Sequence, residues 1–141
     1  MKVLRVSAIE NGTVIDHIPA ESVFKVVENL GVLNNNGEIS IATNLPSQRL
    51  GRKGIIKISK VFLSQPQIDK IALLAEGSTL SIIKNYAIKE KKIIKIPKRI
   101  TGIVKCANTN CITNHERSIT KFVVINKKQL ILRCQYCDKV T

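Results

Sequence analysis

Over its first 97 residues the chain alternates between two kinds of apolar spacing, period two and helical, and the switches mark out its elements. Residues 2–9 (KVLRVSAI) place Leu4, Val6 and Ala8 on one face and predict a strand. Asn11-Gly12 is a turn signal, Thr13 to Ile18 forms a second extended run, and Pro19 breaks it. In residues 20–31 Val23, Phe24, Val26, Val27 and Leu30 recur at helical spacing, with Gly31 placed to cap the end. Asn34 to Gly37 reads as a turn, and Glu38 to Leu45 as a strand carrying Ile39, Ile41 and Thr43 on one face. A polar loop over 46–54 leads into the strand 55–63. Ser64 with Gln67 forms a capping box in type, and Pro66 is tolerated in a first turn, so a second helix is predicted over Gln67 to Ala75. Its buried positions are expected to be Ile68, Ile71, Ala72 and Ala75, and Gly77 ends it. Thr79 to Asn85 is a strand, and Tyr86 to Ile96 continues extended.

With the short run after Gly12 set aside, the order is β-α-β-β-α-β, the ferredoxin-like arrangement of one sheet with two helices on one face. Pro97 marks a boundary, giving an N-terminal domain over 1–97 and a small all-β domain over 98–141, an α+β chain in all. In the second domain the apolar runs 121–125 and 130–134 flank Asn126-Lys127-Lys128 and predict a hairpin.

All four cysteines fall in that second domain: Cys106 and Cys111 as C-x4-C, then 22 residues, then Cys134 and Cys137 as C-x2-C. Two pairs joined by a hairpin supply the four thiolates of a structural Zn²⁺ shell, with no open position for chemistry. A module of about 40 residues buries too little apolar area to stand alone, and metal makes up the shortfall. Two disulfides are the competing reading, but they suit secreted chains. The opening MKVLRV has no signal-peptide h-region, and no apolar run approaches the length of a membrane span, so a cytoplasmic, reducing location is expected. His115 is read as a surface residue, since the four cysteines already close the shell.

The net charge of +13 is concentrated. Residues 49–60 carry five basic groups and no acid, and residues 84–105 carry eight against Glu90. A nucleic acid, a polyphosphate pocket or an acidic partner subunit would each explain this, and charge alone does not choose. Only five aromatics (Phe24, Phe62, Tyr86, Phe122 and Tyr136) are present, too few for a base-stacking platform on the sheet. No phosphate-loop glycine motif and no nucleophile–base constellation is present, which argues against an enzyme. Asp16-His17 is an acid–base pair only on paper, because neighbours on a regular strand point to opposite faces.

Specific runs carry more than composition does. They are GTVIDHIPA (12–20), N-L-P-S-x-x-L-G-R-K (44–53), I-K-I (56–58), F-L-S (62–64), N-Y (85–86), C-x-N-x-N-C-I (106–112) and C-x-Y-C (134–137). In this order the sequence resembles the regulatory chain of aspartate carbamoyltransferase. The resemblance implies a non-catalytic chain of pyrimidine biosynthesis whose N-terminal domain pairs with a second copy and binds CTP, with UTP, or ATP. It implies a zinc domain that docks on catalytic chains, so that regulatory dimers bridge catalytic trimers, with no role for nucleic acid or membrane. By position, Ala8, Ile9 and Val14 would surround the base, with backbone groups of Ile9 and Tyr86 reading its edge. Asp16 would meet the ribose hydroxyls, His17 and Lys91 the phosphates, and Lys57 the sugar and base. Ile83 and Ile88 would complete the wall, and Lys53 would add a supporting charge. Ser81 stands where the family often has Asn. Cys106, Cys111, Cys134 and Cys137 would bind the zinc. A zinc-ribbon nucleic-acid-binding protein is the alternative reading.

Overall fold

Strand β1 (Gly12–Pro19) is the run that the sequence reading set aside, and it lies at the centre of the larger sheet. The structure, a computed structural model, describes residues 9–32, 37–116 and 118–141; the run over 2–9 and the turn at Asn34 lie almost wholly outside these. The chain divides between Lys95 and Ile96 into two compact units.

In the first unit β1 is followed by a short 3₁₀ turn (Ala20–Ser22), α1 (Val23–Leu30), β2 (Ile39–Ser47), β3 (Gly51–Ser59), α2 (Gln65–Ala75), β4 (Thr79–Lys84) and β5 (Ala87–Ile93). The sheet order is β2-β3-β1-β4-β5 with every neighbouring pair antiparallel. This is the ferredoxin-like order extended by one edge strand. Asn85 and Tyr86, both at positive φ (53° and 65°), make the two-residue hairpin turn that separates β4 from β5. The sequence pattern predicts an extended run that continues straight through that point.

Ile15 and Ile18 of β1, Ile56 and Ile58 of β3 and Leu80 of β4 are buried, as are Val23, Val26, Val27 and Leu30 of α1 and Ile71, Ala72 and Ala75 of α2. Phe24 is instead 60% exposed, because Val23 takes the inward position at the start of α1. Ile68 is only half-buried. Gly54 admits this packing: a Cβ there would lie 2.0 Å from Val23 Cγ2. The capping box forms as expected, with Ser64 N–H donating to Gln67 Oε1 at 2.9 Å and Gln67 N–H donating to Ser64 Oγ at 3.4 Å. Gln67 also donates through Nε2 to the Leu30 carbonyl at 3.3 Å, tying the start of α2 to the end of α1. Gly31, at φ 64°, ends α1 in the left-handed conformation anticipated for it.

In the second unit β6 (Arg99–Thr101), β7 (Lys121–Asn126) and β8 (Ile131–Cys134) form an antiparallel sheet in that order. The hairpin is the expected one. Strand β6 lies within the basic stretch 84–105, beyond Pro97, where the sequence pattern predicts no strand. Ile100, Phe122 and Leu132 are buried with Cys106, Cys111 and Cys134. Among the described residues no helix is long and apolar enough to cross a membrane.

Candidate functional site

Strand pairing fixes a row of side chains on the sheet face away from the helices. Lys57 of β3 lies opposite Val14 of β1, Val14 opposite Ser81 of β4, and Ser81 opposite Lys91 of β5. Neighbouring rows place Ile83 opposite Ile88, and Asp16 opposite Thr79. All of these, with His17, line one cavity of about 260 Å³. A smaller cavity of about 130 Å³, lined by Ile9, Val14, Lys57, Ile83 and Tyr86, shares three of its residues. Every sequence-predicted pocket residue in the described part of the chain therefore lines one of two adjoining hollows; Ala8 lies outside the described residues. Thr79, missed from sequence, belongs with them because it lies two positions before Ser81 on the same strand face.

The character of the surface changes along the cavity. Ile9, Ile83 and Ile88 make one end apolar, Lys57, Ser81 and Lys91 the middle polar, and Asp16, His17 and Thr79 the far end charged. At about 3.3 Å per residue, Gly12 to Asp16 spans roughly 13 Å.

Asp16 and His17 face the same cavity, against the expectation of opposite faces. A β-bulge shifts the register between Ile15 and Ile18, and His17 takes φ 102°. Ile15 and Ile18 both stay in the core, which leaves the two intervening side chains together on the open face. A non-glycine residue at such a φ is strained, and strain of this kind concentrates at functional positions.

Asp16 Oδ1 is out of contact with solvent and accepts no well-directed hydrogen bond. Lys53 Nζ lies 2.9 Å from it and His17 Nδ1 3.7 Å away, so the charge is neutralised without the oxygen's acceptor geometry being filled. His17 Nδ1 shares a hydrogen bond of 3.1 Å with Thr79 Oγ1. Burial holds His17 below its ordinary value of 6.5, Asp16 opposes that shift, and Lys53, Arg49 and Lys91 add to it. The imidazole is therefore neutral at pH 7. Tyr86 donates its N–H to the Glu10 carbonyl at 2.9 Å.

The second candidate site is built from two loops of the smaller unit. The Cys106–Cys111 loop is held by Asn114 Nδ2, which donates to the carbonyls of Cys106 (3.0 Å) and Asn108 (2.7 Å). The C-x2-C turn ends β8, with Asp138 N–H donating to the Cys134 carbonyl at 2.9 Å. All four sulfurs lie within 4.8 Å of one another, and the pairs Cys106–Cys137 and Cys111–Cys134 are each 3.7 Å apart. A tetrahedral shell with Zn–S of about 2.3 Å has S–S edges of about 3.8 Å. The sulfurs thus already stand at metal-ligand spacing, and at nearly twice the length of a disulfide bond. All four cysteines are free. Hydrogen bonds from the Asn108 side chain and the Lys139 backbone draw the Cys137 thiol down to about 6, while burial pushes Cys106 up to about 12. A bound cation would supply the charge that lets the buried thiols ionise together.

Comparison with known proteins bears on both units of the chain. Residues 4–95 match the family model described as "Aspartate carbamoyltransferase regulatory chain, allosteric domain", and residues 98–141 the model described as the metal binding domain of the same chain. The sequence is 51% identical to the aspartate carbamoyltransferase regulatory chain of Pyrococcus horikoshii over 141 residues, covering 99% of this chain and 93% of the relative. It is 48% identical to that of Bacteroides thetaiotaomicron over 136 residues, covering 96% and 89%.

Proposed function

The chain belongs to the aspartate carbamoyltransferase regulatory chains, a non-catalytic family with an allosteric and a metal-binding domain, and from that premise we propose that its open-face cavity is an effector site for nucleoside triphosphates. The observation that carries the proposal is the polarity gradient along the cavity, which runs from the apolar Ile9 and Ile83 to the carboxylate of Asp16 beside His17. A ribose hydroxyl donates to a carboxylate lining the cavity in this way. The base lies against Ile9, Val14 and Ile83, and the phosphates extend towards His17 and Lys91, where charge-assisted hydrogen bonds hold them. A carbonyl at Tyr86 suits the exocyclic amine that cytosine and adenine share and that uracil lacks, so CTP and ATP compete for this position more strongly than UTP.

The four cysteines hold one structural Zn²⁺, which makes the smaller unit rigid enough to dock on the catalytic chain. Effectors then regulate by binding unequally to two states of the complex. A second copy of the chain completes the regulatory dimer, and the complex works in the cytoplasm in pyrimidine biosynthesis.

The test is equilibrium binding of CTP to the zinc-loaded chain and to Asp16→Ala and Lys91→Ala variants. Both substitutions weaken binding about tenfold or more while zinc content stays unchanged. Parent-like CTP binding by both variants would remove the assignment of this cavity.

A further inference from the structure

The charged end of the cavity has one more cation beside it that the residues above leave without a role. Arg49 sits in the turn between β2 and β3, is exposed, and donates from Nη2 to the carbonyl of Gly77 at 2.7 Å. Gly77 lies just before β4, two residues from Thr79. The sheet order β2-β3-β1-β4 puts β3 and β1 between that turn and β4. Arg49 therefore bridges the end of the sheet at which β1 finishes with Asp16, His17 and Pro19. Its charge is felt at His17, together with those of Lys53 and Lys91. Arg52, three residues along, is instead turned back to the Asn44 carbonyl at 3.1 Å within the same hairpin.

We propose that Arg49 is the group that recognises the terminal phosphate of the effector, so that the site distinguishes triphosphates from shorter nucleotides at this residue. The proposal rests on the effector reading above. With the base at Ile9 and the ribose at Asp16, each further phosphate extends towards the end of the sheet that Arg49 spans. A guanidinium carries five donors in a fixed fork, and Gly77 takes one of them. The neutral carbonyl is a weaker acceptor than a phosphate oxygen, so exchanging one for the other, or bridging both, favours the charged ligand. Gly77 is itself at φ 91°, in the connection from α2 to β4, so engagement of Arg49 by a phosphate acts directly on that connection.

The experiment is calorimetric titration of the full zinc-loaded chain, and of Arg49→Gln and Arg49→Lys variants, with CTP, CDP and CMP. The parent binds CTP most tightly. Arg49→Gln lowers CTP affinity roughly tenfold and leaves CMP affinity unchanged, so the preference for the triphosphate collapses. Arg49→Lys keeps part of that preference, because charge remains without the fork. An equal loss for all three nucleotides together with a lower melting temperature would make Arg49 a structural latch on Gly77 and overturn the proposal, as would an unchanged preference in Arg49→Gln. Absence of nucleotide binding by the parent would instead overturn the effector reading, and this inference with it.

Discussion

His17 combines a strained backbone that fixes its direction with an imidazole kept neutral by burial, the two properties the proposed phosphate contact needs. Phosphate oxygens favour the imidazolium, so a nucleotide bound there is expected to take up a proton and to bind more tightly as pH falls towards the ordinary histidine value of 6.5 and below. The charged groups around the ring are Asp16, which favours protonation, and Lys53, Arg49 and Lys91, which oppose it. A His17→Gln variant is expected to lose most of this slope, measured as log affinity against pH. The free protein has the opposite sign. With the folded value held below 6.5, the unfolded chain binds the proton more readily, and His17's contribution to stability is lost as pH falls through that region. At this scale the chemistry was legible and part of the geometry was not. Asp16, His17, Lys57 and Lys91 were expected together from the resemblance, and the structure brings them to one cavity. That Asp16 and His17 share a face depends on a bulge whose only outward sign is a conformation at residue 17 that strand periodicity does not encode. Thr79 was overlooked for a simpler reason: a lone threonine at the start of a strand looks the same whether it faces solvent or a cavity.

Among the elements, the helix ends were the most readable, because capping is local chemistry. Ser64, Gln67 and Gly31 do what their residue types dictate. Ser64→Ala is expected to cost about 1 kcal/mol of stability in denaturant unfolding, through the loss of one side-chain acceptor at the start of α2. Gly54 shows the other kind of constraint, a close approach that no local pattern announces. Gly54→Ala drives a methyl group into Val23 and to 3.1 Å from the Ala42 carbonyl, and is expected to destabilise by about 1–3 kcal/mol. Strand β1 was undervalued because six residues after a turn signal look like the return arm of a hairpin. Only its pairing with both β3 and β4 reveals a central strand. Strand β6 was hidden for a related reason: it has three residues, of which only Ile100 is buried.

At the scale of the whole molecule, the net charge of +13 acquires a partial explanation in the cations gathered around one open sheet face. Lys92 and Lys95 have no role that the structure explains. A metal held by the four cysteines would supply much of the smaller unit's stability. A core of this size supplies no more than about 5 kcal/mol, whereas structural zinc binding contributes about 10–16 kcal/mol. Cys111→Ser is therefore expected to lose zinc, measured as metal per chain, and to abolish assembly with the catalytic chain, while the sheet and helices of residues 9–95 still melt cooperatively. The measurement that bears most directly on the central claim is a calorimetric titration of the zinc-loaded chain with CTP, repeated in the presence of ATP and with a short RNA duplex as control. Saturable CTP binding, displaced by ATP and weakened in Asp16→Ala, is the predicted result. Heat from the RNA alone, tight and falling steeply with salt, with no response to either nucleotide, would contradict the effector site and turn the basic face over to nucleic acid.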